Sequence, residues 1–154
     1  MKNLLAVIKK LESHIPQQER TDTNISKAPV GWHIQHSLLT ITQIVENLKK
    51  SDPNAYQWKF SFLKVVVFTM KKIPRGRAQS PDTVMPKNIG TAETIKKEFD
   101  IALAAIKELD ALNANNYFKH PVFGKMNVKP AIKFLEIHTR HHLNIINDII
   151  KKGQ

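Results

Sequence analysis

No cysteine occurs among the 154 residues. That excludes a disulfide framework, a thiolate zinc site and a cysteine nucleophile, and it fits a reducing compartment. Long apolar runs are missing too. Beyond the N-terminal segment, Val65 to Phe68 and Ile101 to Ile106 are the longest, far short of the ~20 residues a membrane span needs. The stretch Met1 to Lys10 is too short in apolar residues for a secretory signal, and no small-residue cleavage site follows. A cytoplasmic protein with no membrane partner is expected. Acidic residues are scarce, with 13 Asp and Glu against 24 Lys and Arg and a net charge of +11. The lysines are spread along the chain rather than gathered in one block. A solvated, lysine-rich surface is therefore the expectation, and nucleic acid is not the expected partner. The best local candidate for an anion site is Lys71-Lys72-Ile73-Pro74-Arg75-Gly76-Arg77. No nucleic-acid reading motif accompanies it.

Apolar periodicity predicts helices. Residues 2–15 carry Leu4, Leu5, Ile8, Leu11 and Ile15 and end at Pro16. Residues 31–49 carry Ile34, Leu38, Ile41, Val45 and Leu48, closed by the turn residues Ser51-Asp52-Pro53-Asn54. Residues 58–72 are rich in β-branched and aromatic side chains that would suit a strand. No second strand is evident to pair with them, so a helix is predicted. Ile73 to Asn88, with Pro74, Gly76, Pro81 and Pro86, reads as a long loop of the kind that covers functional sites. Thr91 is a candidate N-cap for a helix over 91–112, with Glu93 in its first turn. Asn113 to Met126 reads as a second loop, and Asn127 as the cap of a last helix reaching about Lys151, with Pro130 in its first turn. The expectation is an all-α chain, one domain over residues 1–154, built as a four-helix bundle with one extra short helix in a connection.

The last helix carries the chemistry. Its inward stripe reads Ala131, Leu135, His138, His142, Ile145 or Ile146, and Ile149. Residues four apart share a helical face, so the two imidazoles can converge. Imidazoles in an apolar seam need partners for their polar nitrogens, and one metal ion would satisfy both. His-x-x-x-His is a two-ligand spacing, although Thr139 stands where a metalloprotease carries glutamate. His141 lies about 100° away around the helix, at the surface or behind the ligands. A third ligand would come from the second helix, where both His33 and His36 are available. Periodicity does not choose between them.

Three segments carry a resemblance: the Trp32-x-x-x-His36-Ser37 opening of the second helix, the His120-Pro121-Val122-Phe123-Gly124 loop, and Phe134 to Leu143. Together they resemble the DinB-like superfamily, and within it a branch of small bacterial proteins. The resemblance implies a four-helix bundle in which one histidine of the second helix and an H-x-x-x-H pair of the last bind a divalent ion, commonly zinc or nickel. Matched by position, those ligands are His36, His138 and His142. His33 stands as a substitute for His36, because Trp32 precedes His36 at a shorter interval than in many members.

Some members are thiol transferases acting with bacillithiol or mycothiol, so the resemblance implies metal-dependent thiol transfer to a small-molecule substrate. With no cysteine here, the thiol would be a low-molecular-weight cofactor. Lys72, Arg75, Arg77 and Arg140 are candidates to hold a carboxylate of the substrate. The rival readings are a non-catalytic metal-binding or stress-associated bundle, closed by a fourth ligand among His33, His120 or Glu136, and a basic binding module. A homodimer is the expected assembly, with Phe60, Phe62 and Phe68 serving it or the core.

Overall fold

The computed structural model describes residues 1–76 and 81–152. Arg77 of the basic stretch lies outside them. Five α-helices are present among the described residues: α1 (Lys2–Glu12), α2 (Val30–Lys50), α3 (Phe62–Met70), α4 (Ala92–Glu108) and α5 (Val128–Lys152). The first helix stops earlier than its periodicity predicts, and Ile15–Gln17 continues as a 3₁₀ turn around Pro16. The last turn predicted for α4 is likewise 3₁₀, over Leu109–Ala111.

The all-α expectation is corrected by a small antiparallel sheet, β1 (Tyr117–His120) with β2 (Gly124–Asn127). This hairpin occupies the segment read as a loop. Asn127 is the last residue of β2, opposite Tyr117, and directly precedes α5. The turn is made by the His120-Pro-Val-Phe-Gly sequence. Gly124 takes φ +72°, a left-handed conformation costly for other residues. The Nδ1 of His120 accepts hydrogen bonds from the backbone N–H groups of Val122 and Phe123 at 3.1 and 3.2 Å. Its ring stacks on Phe123, with centroids 4.5 Å apart.

Helix α2 is the hub, packing against α4 and α5, while α1 packs against α5. The predicted stripes supply the core. Leu4, Ile8 and Leu11 of α1, Ile34, Leu38 and Ile41 of α2, Ile95 and Phe99 of α4, and Leu135 of α5 are all fully buried. Each such side chain contributes about 1.5–3 kcal/mol by leaving water. The connection before α2 satisfies that helix's exposed donors: Val30 N–H donates to Arg20 O and Gly31 N–H to Gln18 O. Gly31 is needed there, since a Cβ would meet Ile89 Cγ2 at 2.8 Å and the Gln18 carbonyl at 3.2 Å.

Helix α3 begins at Ser61, whose Oγ accepts from Lys64 N–H. It buries only Val67, while Trp58, Phe60, Phe62, Leu63 and Met70 are exposed. Phe68, by contrast, is partly buried against the core. Among the described residues no helix is long and apolar enough to cross a membrane.

Candidate metal centre

On α2 the chain is buried nearly all round from Val30 to Leu38, so both His33 and His36 lie inside. On α5, His142 is buried and His138 partly buried one turn before it. The packing of α2 against α5 brings His36, His138 and His142 together, and one ligand-type nitrogen from each lies within 4.8 Å of the others. The ring centroids form a near-regular triangle. His36 to His138 is 5.0 Å, His36 to His142 is 4.7 Å, and His138 to His142 is 4.6 Å.

The hydrogen bonds define what each ring can offer. His36 Nδ1–H donates to the carbonyl of Val84 at 2.7 Å. In a neutral ring that leaves Nε2 as a lone pair. This Nε2 lies 3.2 Å from Nε2 of His138. Two nitrogens on one tetrahedral zinc, each at about 2.0–2.1 Å, sit about 3.3 Å apart. His142 Nδ1 is 3.0 Å from His33 Nδ1, and the other nitrogen of His33 is 2.9 Å from Ser26 Oγ. Outer hydrogen bonds of this kind orient metal-binding imidazoles. His138 lacks one: its Nδ1 is buried without a partner among the described residues. Trp32, one turn before His36, stacks on that ring at 4.8 Å and 11°.

The cluster is held uncharged. Burial pushes the His36 pKa below the usual imidazole value, and pushes those of His138 and His142 well below it, with neighbouring imidazoles adding to the effect at the last two. Burial, followed by His36, His141 and Arg75, brings His33 to about 4. At neutral pH every ring presents a lone pair, the form that binds metals. The donor set therefore fits a divalent metal ion.

The other sequence candidates lie elsewhere. His33 backs His142 and is not in the converging group. His120 braces the hairpin turn. Glu136 pairs with Arg140 at 3.2 Å on the helix surface. Lys72 and Arg75 line a cavity of about 440 Å³ that His141 also lines. Two contributors were not foreseen. The Val84 carbonyl comes from a 3₁₀ turn, Asp82–Val84, inside the long loop, and Ser26 comes from the connection before α2. Neither leaves a sequence signal, since one acts through its backbone and the other is a lone serine.

The model of one family, described as the DinB superfamily, matches residues 3–146. No curated protein and no solved structure matches the chain.

Proposed function

Because the chain belongs to the DinB superfamily, we propose that it is a divalent-metal protein whose ligands are His36, His138 and His142, and that its activity is metal-dependent thiol transfer. The observation that carries the reading is the convergence of three imidazoles, one from α2 and two from α5, on a common point. In this reading the chain is one domain, its four longest helices form the bundle, and α3 and the hairpin are additions to it. Zinc or nickel is the expected ion, since neutral imidazoles suit both.

Each ligand has a separate job in the chain's own chemistry. His36 is fixed in tautomer and direction by Val84, and His142 is braced through His33 to Ser26. Trp32 covers one side of His36 and keeps water from it. No carboxylate belongs to the converging group among the described residues, which leaves a three-histidine set with room for one more ligand. A metal held there supplies positive charge that stabilises a deprotonated thiol or water. With no cysteine in the chain, the thiol comes from a small molecule. Pairing of two copies belongs to the same proposal, with the exposed Phe60 and Phe62 as the contact.

The test is elemental analysis of untagged protein purified without chelators, beside His138→Ala. About one zinc or nickel per chain, lost in the variant, is expected. Absence of metal after reconstitution with both ions would overturn the ligand assignment. Product formation from a thiol and an electrophile, dependent on that metal, then separates the transferase from a metal-binding bundle without activity.

A further inference from the structure

A cavity of about 440 Å³ lies between the segment that ends α3 and the C-terminal half of α5. Its size suits a small molecule, but its walls do not suit an apolar one. Lys71, Lys72, Arg75 and Lys151 face it with a single carboxylate, that of Asp148, and Asn144 and Asn147 add amide groups. Asp148 is already engaged, pairing with Arg75 at 2.7 Å. That bond steadies the guanidinium and still leaves N–H donors free to turn elsewhere. The three lysines have no ion-pair partner among the described residues.

We propose that this cavity is an anion-binding site, which takes a carboxylate or phosphate of a small molecule and holds it beside the histidine cluster. The link between cavity and cluster is His141. It lines the cavity, and its ring lies edge-on to that of His142 with centroids 5.1 Å apart. Arg75 lines the same cavity as His141.

Lys71 supplies an independent observation. It ends α3 at φ +52°, the one non-glycine residue with positive φ among those described. That is the helix-end position where glycine is favoured because no Cβ is strained. A lysine there carries a conformational cost that glycine would avoid, and its charge lies on the cavity wall. As a statement of substrate class the inference rests on the proposed metal function. As a statement about anions it stands on the cavity alone.

Calorimetric titration of chelator-treated protein and of zinc-loaded protein with succinate, with inorganic phosphate and with neutral succinamide tests it. Saturable binding of one or both anions and none of succinamide is expected, weakening as salt is raised. Preference for succinate identifies a carboxylate ligand, and preference for phosphate a phosphorylated one. Lys71→Gly and the Lys72→Ala/Lys151→Ala pair are each expected to weaken binding by about fivefold or more. Lys71→Gly keeps or raises the melting temperature, so its loss of binding is not a loss of fold. No saturable binding of either anion, or binding unchanged in these variants, would overturn the inference even where elemental analysis finds the metal. Anion binding in protein that takes up no metal would instead overturn the metal reading and leave the anion site standing.

Discussion

His33 and His142 meet Nδ1 to Nδ1 at 3.0 Å, so one ring must donate to the other. If His142 is a ligand through its remaining nitrogen, its Nδ1 carries the proton and His33 accepts. His33 is then a positioning residue, and removing such an outer partner typically costs 10–100-fold in metal affinity. His33→Ala is expected to weaken zinc binding by about that factor in a competition titration, with metal still bound at saturation. Complete loss of stoichiometric metal would instead make His33 a ligand.

His138 presents the opposite case. Its buried Nδ1 has no partner among the described residues, and a buried unsatisfied group costs about 1–3 kcal/mol. In metal-free protein, His138→Leu should raise stability by about 1 kcal/mol, read as a shift in urea midpoint, while abolishing metal uptake. A destabilised variant would mean that the imidazole is a satisfied part of the core.

The histidines also set a pH dependence. Burial brings His120 to about 4, and burial with nearby charges does the same for His33 and His141. An unfolded chain takes up those protons near pH 6.5, whereas the folded chain resists until about pH 4. Between these values the unfolded state binds more protons. Stability is therefore full above about pH 6.5 and is lost as pH falls toward 4. Urea midpoints of metal-free protein at pH 7.5, 6 and 5 should decline in that order. A flat profile would contradict the buried, neutral placement of these rings.

Asn116 ties the approach to the hairpin onto the end of α2. Its Nδ2 donates to the carbonyls of Leu48 and Ser51 at 3.0 Å each, closing helix-end acceptors. Asn116→Ala is expected to cost about 1–2 kcal/mol in urea unfolding at neutral pH. An unchanged midpoint would show that water serves these carbonyls equally well.

Helices α1, α4 and α5 were legible because each has one buried stripe set against exposed polar residues. The ends of α1 and α4 were less so, since a 3₁₀ turn prolongs the same spacing. The hairpin was hidden for a different reason. Its second strand, Gly124-Lys125-Met126-Asn127, has no β-branched residue, and the two strands pair only with each other. At the site, the His138 and His142 spacing was readable because the rest of α5 has a polar side. The choice between His33 and His36 was not. A helical wheel discriminates only when one face is wet, and α2 is enclosed at both positions. The two differ in what they touch, His36 lying between Val84 and His138 and His33 between Ser26 and His142.

The pairing of His36 with His138 spans 102 residues of chain. In a protein without cysteine, an ion held by both would act as a removable crosslink between distant segments. For a loop of about 100 residues, a covalent bridge restricts the unfolded chain by about 4.7 kcal/mol in the entropy model. A coordinated ion gives a similar restraint only while it stays bound, so chelation would loosen the topology of the chain as well as empty the centre.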